Sequence, residues 1–156
     1  MASWSAFETD APELAAQVRA RLEAHRHHVM ATLRADGAPR VSGTEVAFWR
    51  GDLVLGSMWQ ARKALDLQRD PRLALHTNPS DEKLDGGDAR IDAVAEELVG
   101  EANDAFYADE EAPPGPNHLF RLDLRRVSLI EVDEARNKLI VTTWNEGRGV
   151  TRIERE

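Results

Sequence analysis

Residues 56–72, GSMWQARKALDLQRDPR, place a hydroxyl and two adjacent cations where a strand gives way to a helix. The apolar run 53–55 has strand character and ends at Gly56-Ser57. A segment of helical period then begins with Arg62 and Lys63 in its first turn. A helix N-terminus already carries the positive end of a dipole and unpaired N–H groups, so cations there are locally unfavourable. A bound anion reverses that sign: Ser57 and the first-turn N–H groups donate to it, while Arg62 and Lys63 balance its charge. The chemistry this spacing allows is the holding of a phosphate-type group. The plainer alternative is a solvated helix surface on which Lys63 meets Asp66 at i+3 or Arg62 meets it at i+4. Such exposed pairs are common and individually worth little.

Elsewhere the sequence offers little for catalysis by side chains. It has no Ser-His-Asp spacing, no H-E-x-x-H, no P-loop and no G-x-G-x-x-G. No residue stands out as a required general acid or base, so the catalytic residues stay unassigned. His25, His27 and His28 cluster at a helix-to-strand boundary, but adjacent strand residues point to opposite faces, and no metal site is expected. His76 and His118 are isolated and read as structural. The carboxylates of residues 81–88 and of the run YADEEAPPGP read as solvated loops. Trp4 and Trp49 read as packing residues, whereas Trp59 and Trp144 are candidates to stack on a planar ring.

The elements that must position Ser57, Arg62 and Lys63 follow from periodicity. Residues 10–25 read as an amphipathic helix with Asp10 as cap, Glu13 in capping-box position, and a stripe of Leu14, Val18 and Leu22. Residues 29–33, 41–48 and 53–55 read as an antiparallel meander, turning at Asp36-Gly37 and at residues 49–52. Residues 61–69 form the short helix, stopped by Asp70-Pro71. Its projection puts Ala61, Ala64, Leu65, Leu67 and Gln68 on one arc and Arg62, Lys63, Asp66 and Arg69 on the other. Residues 73–76, 88–100, 118–125, 127–133 and 138–144 read as further strands, the Pro-rich 103–117 as a loop, and 145–156 as a Gly- and charge-rich tail. Six or seven mostly antiparallel strands with two helices indicate a closed or partly closed barrel with helices outside it.

Composition sets outer limits. The 156 residues suit one domain, and 42% hydrophobic with 31% charged residues is a globular composition. A net charge of −8 argues against nucleic-acid partners, which need a basic face. No apolar run approaches the roughly 18 residues of a membrane span, and the N-terminus lacks the basic and apolar regions of a signal peptide. The absence of cysteine excludes thiol chemistry and fits a cytoplasmic location. Lysine is scarce, three against seventeen arginines, which sets Lys63 apart.

The run ATLRADGAPRVSGTEVAFWRGDLVLGSMWQARKALDLQRDPRLALH, residues 31–76, resembles the flavin- and deazaflavin-binding split β-barrels of the pyridoxamine 5′-phosphate oxidase-like superfamily. The features in common are an Ala-Thr-Leu strand, an Asp-Gly turn and a strand beginning Pro-Arg-Val-Ser. A strand ending in Gly-Ser follows, and then Arg-Lys in a helix closed by Arg-Asp-Pro-Arg. HLFRLDLRRVSLIEVD matches the closing strands in type only. The resemblance implies a mainly β fold with flanking helices, a split β-barrel of mostly antiparallel strands of the FMN-binding type. It further implies a homodimer with cofactor sites at the subunit interface and FMN or coenzyme F420 as cofactor. Ser57, Arg62 and Lys63 would hold the phosphate. Arg40, Val41, Ser42, Gly43 and Thr44 would lie along the ring system, and Met58 and Trp59 would cover the ring or ribityl chain. Trp144 and Arg148 would help complete the partner subunit's site. Some relatives bind haem instead. The longer anionic tail of F420 would favour further cations, for which Arg40, Arg69 and Arg148 are available.

The resulting expectation is an FMN- or F420-dependent oxidoreductase that transfers hydride between its cofactor and a small organic substrate. Pyridoxamine phosphate oxidation itself is not expected, because no second basic set for a substrate phosphate stands out. The alternatives are a non-catalytic FMN, F420 or haem carrier, sensor or stress protein, and a purely structural barrel dimer.

Overall fold

The computed structural model describes residues 2–112 and 115–156. The chain begins with two helices, α1 (Trp4–Asp10) and α2 (Pro12–Ala24). Strands β1 (His28–Leu33), β2 (Pro39–Thr44), β3 (Val46–Trp49) and β4 (Asp52–Met58) lead into α3 (Arg62–Arg69). Then come β5 (Arg72–His76), β6 (Asp88–Glu97), α4 (Glu101–Ala108), β7 (Asn117–Asp133), β8 (Lys138–Asn145) and β9 (Gly149–Arg155). The strands pair in the order β2-β1-β5-β6-β7-β4-β3, with β8 added to β7 and β9 to β8. All pairings among the described residues are antiparallel. The two ends of this path, β2 and β3, are separated in the chain by Glu45 alone, so the sheet curls until its ends meet. This is the split barrel expected from the sequence.

Local chemistry explains most of the elements. At the tip between β3 and β4, Arg50 (φ 49°) and Gly51 (φ 79°) are both left-handed, the turn geometry that suits strand twist. Residues 41–48, read as one strand, break at Glu45 because β2 pairs with β1 whereas β3 pairs with β4. Residues 118–133, read as two strands, belong to one strand of 17 residues. On one edge β7 serves β4 with its first half and β8 with its second, while β6 runs along the other edge. The register shift at Asp92/Ala93 leaves Arg125 as the extra, bulged residue that lets so long a strand bend.

The helices depart further from expectation. Helix α2 starts at Pro12 behind Ala11, with no side-chain cap, and Asp10 ends α1 instead of capping α2. Leu14, Val18 and Leu22 are buried as the stripe requires. Burying each contributes about 1.5–3 kcal/mol, against about 1 kcal/mol for a cap, so the stripe decides where the helix lies. Helix α1 gives no periodic signal, yet Ser3 Oγ accepts from the Ala6 N–H and Trp4 and Phe7 are buried in the main core. Helix α4 lies where a loop was expected. Its Phe106 packs with Val54 and Leu119, and Glu101 and Asp104 suit its N-terminal dipole. The segment expected as a tail supplies β9, paired residue by residue with β8.

Candidate functional site

At the end of β4 the barrel opens into a cavity of about 600 Å³. Gly43 and Thr44, Gly56 to Met58, and Lys63 line it from three elements, and α4 with the residues after it closes another side. Ser57 is 7% exposed, and among the described residues its Oγ has only a long 3.4 Å contact to the Met58 carbonyl. Gly56 keeps the wall flat: a Cβ there would stand 2.6 Å from the Tyr107 hydroxyl. That hydroxyl donates to the His118 carbonyl at 2.5 Å, and burial pushes the phenol's pKa up, with Glu110 adding to the effect, so it remains a donor.

Helix α3 has no side-chain cap and no acidic residue in its first turn. Lys63 Nζ donates to the Gly43 carbonyl at 2.7 Å across the cavity. Burial lowers its pKa, opposed by the charge of Glu45. Arg62 is exposed and has no hydrogen bond or ion pair with the described residues. The alternative contacts of Arg62 or Lys63 with Asp66 do not form, because Asp66 turns to the sheet and is 2% exposed. It accepts from Arg40 Nε at 2.7 Å, Thr32 Oγ1 at 2.7 Å and Arg69 Nη2 at 3.1 Å. Burial alone would push this carboxyl up, but those three hydrogen bonds prevail and hold it down at about 2. A hydrophobic projection puts Asp66 on the solvent arc. The partners that bury it lie on β1 and β2.

Of the residues proposed from sequence, the fold gathers Gly43, Thr44, Ser57, Met58 and Lys63 on the cavity wall. Arg40 and Arg69 are both bound into the Asp66 node, Arg40 through Nε and Arg69 through Nη2. Val41 is 72% exposed and shares a sheet face with Gly43, while Ser42 points to the other face. Trp59 is 54% exposed and lies flat on His118, with centroids 4.6 Å apart at 9°. Trp144 does not reach the cavity: it is 2% exposed, its ring packs on Phe7, and its Nε1 donates to Asp10 at 2.5 Å. Arg148 is exposed in the turn between β8 and β9, away from the cavity lining of its own chain.

Several contributors were not anticipated. Arg26 and His27, from the histidine-rich boundary, stand at the rim with Glu45, at 3.1 Å and 3.6 Å from its carboxylate. Glu110 and Glu111, read as a solvated run, line the opposite wall. Their place depends on α4, which the local sequence does not announce. His28 is structural: Asn78 N–H donates to Nδ1 at 2.9 Å, so Nε2–H donates to the Leu22 carbonyl. Burial lowers its pKa and keeps it neutral.

These features make an antiparallel split barrel with a cavity where a strand meets a helix. The chain belongs to the pyridoxamine 5′-phosphate oxidase family, whose model matches residues 14–131. No curated protein matches the sequence. Among solved structures, the chain is similar to a pyridoxamine 5′-phosphate oxidase-related FMN-binding protein from Nostoc punctiforme. The identity is 14% and the TM-score 0.69, covering 100% of this chain and 98% of that one. It is similar to PhzG from Burkholderia lata, solved with tetrahydrophenazine-1-carboxylic acid, at 12% identity and TM-score 0.71 over 93% and 89% of the two chains. An F420 reductase matches at 20% identity and TM-score 0.51, over 65% of this chain and 88% of that one. At these identities the likeness is one of fold.

Proposed function

We propose that this protein is an FMN- or F420-dependent oxidoreductase acting on a small organic substrate, with the cofactor phosphate held by Ser57, Arg62 and Lys63. One observation carries the reading. Nearly buried Ser57 and Lys63 share the wall of a cavity of about 600 Å³, and Arg62, adjacent at the start of α3, is exposed with no hydrogen bond or ion pair to the described residues. In a chain with 28 acidic residues, two adjacent cations without an ion pair to the described residues favour an anionic ligand. The residues fit a planar cofactor as well. Gly43 and Gly56 leave bare backbone on the wall, and a Cβ at Gly43 would meet nothing within 4 Å. The similarity to an FMN-binding protein and to an F420 reductase supports the same choice of ligand.

The cofactor supplies the hydride chemistry when bound, and the chain supplies charge balance, orientation and shelter from water. Glu110 and Glu111 on the far wall argue against a second phosphate, and hence against pyridoxamine phosphate as substrate. Val29 and Val41 lie on the exposed face of the β1–β2 pair that also carries Gly43, and Met58 and Trp59 are exposed beside it. This apolar surface supports a homodimer whose second copy covers the open side of the site. No helix of the described residues is long and apolar enough to cross a membrane, and the cysteine-free chain suits the cytoplasm.

Mass spectrometry of ligand released by gentle denaturation identifies the cofactor. Titration with FMN and with F420 then ranks the two, and sedimentation gives the assembly. Saturable binding of either, followed by reoxidation of the reduced form with quinones, enones or tetrapyrroles, is the expected result. Tight binding without any acceptor makes the protein a carrier or sensor. A Soret band in place of a flavin spectrum makes it a haem protein.

A further inference from the structure

Behind the turn that presents Ser57, Arg62 and Lys63, one buried histidine ties several elements together. His118 lies near the start of β7, is 1% exposed and stands opposite Ser57 in the β4–β7 register. Gln60, left-handed at φ 59°, donates its backbone N–H to the Nε2 of His118 at 3.2 Å. A backbone N–H only donates, so Nε2 is bare and the ring proton is on Nδ1. Nδ1–H donates to Glu97 Oε1 at 2.5 Å, and Gln68 of α3 donates to the other Glu97 oxygen at 2.8 Å. Trp59 covers one face of the ring, and Tyr107 of α4 donates to the His118 carbonyl. Both ring nitrogens are therefore engaged inside the protein, and the ring does not line the cavity.

We propose that His118, held as its Nδ1–H tautomer by Glu97, is the positioning residue of the β4–α3 turn. It fixes Gln60 and Trp59 so that Ser57, Arg62 and Lys63 converge on one anion. Only Trp59, Gln60 and Ala61 separate β4 from the first residue of α3. A left-handed conformation is unfavourable for a residue with a side chain, so Gln60 needs an anchor to keep it. Releasing its N–H would redirect the chain two residues before Arg62. The inference rests on the cofactor reading and adds how that site is held in shape.

The test pairs amide hydrogen exchange at Gln60 with FMN fluorescence titration. His118→Phe keeps a ring beneath Trp59 but cannot accept from Gln60, whereas His118→Gln restores an acceptor oxygen without the ring. Exchange at Gln60 is expected to quicken about tenfold or more in His118→Phe, and FMN affinity to fall about fivefold to tenfold. His118→Gln should recover both to within about threefold, a rescue that a general loss of stability would not produce. Unchanged Gln60 exchange in His118→Phe overturns the proposal, as does FMN affinity equal to that of a wild type that binds. If His118→Phe does not fold, Glu97→Leu frees Nδ1 from the side and should quicken Gln60 exchange; no change there overturns the proposal equally. A wild type that binds neither FMN nor F420 removes the cofactor reading and, with it, the anion this turn is proposed to serve, while Gln60 exchange still reports whether His118 holds the turn.

Discussion

The two sides of α3 treat their cations in opposite ways. Toward the sheet, Arg40 and Arg69 converge on the buried Asp66, joined by the Thr32 hydroxyl. At its start, Lys63 faces the cavity and Arg62 is exposed, with no acidic residue in that first turn. Acidic residues outnumber basic ones 28 to 20, so the difference does not come from a shortage of carboxylates. A buried carboxylate with all its bonds made holds a helix in place, whereas cations without an ion pair remain available to a ligand. The two sides should therefore respond to substitution in opposite currencies: stability for one, affinity for the other.

The largest effect is expected on the sheet side. Asp66→Asn leaves Arg40 half-buried without its counter-charge, and breaking such a pair costs about 3–5 kcal/mol. Urea unfolding should show the loss as a lowered midpoint with an unchanged slope. The acid limb sharpens the point. Asp66 is held at about 2 in the fold against an ordinary 3.8, so its contribution is complete above that ordinary value. It should fade as pH falls from about 4 through about 2. The Asn variant should be flatter over that window, and superimposable profiles would assign the acid sensitivity to other groups.

At the start of α3, Lys63→Ala and Arg62→Ala should each weaken FMN and F420 binding about tenfold or more, the value of a charge-assisted contact of roughly 1.5–3 kcal/mol. Their unfolding free energies should move by less than about 1 kcal/mol. Unchanged affinity for both ligands removes the phosphate assignment. Burial lowers the Lys63 pKa despite Glu45, so binding should weaken on the alkaline side before an ordinary lysine at 10.5 would lose its proton. Lys63→Arg should abolish that limb, since a guanidinium keeps its charge there.

A smaller effect is expected at the cavity wall. In Gly56→Ala the new methyl meets the Tyr107 hydroxyl at 2.6 Å, while the backbone oxygen of His118 is farther off at 3.9 Å. The tyrosine tip must give way and lose its bond to His118, which costs about 1–3 kcal/mol. Adding Tyr107→Phe removes the clashing atom, so the double variant should be less destabilised than the sum of the singles. Additive losses would mean that the methyl strains the backbone instead.

What could be read from sequence follows the range of the forces involved. The turn at Asp36-Gly37, the α2 stripe, the alternation of β6 and the strand-to-helix handover at Ser57 all rest on neighbours within a few residues. Helix α4 was missed because Phe106 finds its partners, Val54 and Leu119, far along the chain. Asp66 was placed on the wrong side of α3 because periodicity ranks it as polar, and Arg40, 26 residues away, is what makes its burial tolerable. His118 looked like an isolated histidine since Glu97 and Gln60 reach it only after β7 pairs with β4 and β6. Within the site, the meeting of Ser57 and Lys63 at one strand-to-helix turn was legible, whereas the rim of Arg26, His27, Glu110 and Glu111 depends on tertiary folding.

Trp144 provides the smallest and most discriminating contrast. From its type and its place near the end of the chain it reads as a ring that stacks on a ligand. In the fold it is part of the anchor for α1, packed on Phe7 at 4.9 Å and donating to Asp10. Trp144→Phe keeps an aromatic body and removes one N–H. Asp10 is exposed and stays hydrated without it, so the loss should be an ordinary hydrogen bond, about 0.5–1.5 kcal/mol by urea unfolding. FMN affinity should stay within about twofold. A fall of about tenfold with stability unmoved would transfer Trp144 to the ligand site, and burial would then no longer separate structural from ligand-binding residues in this barrel.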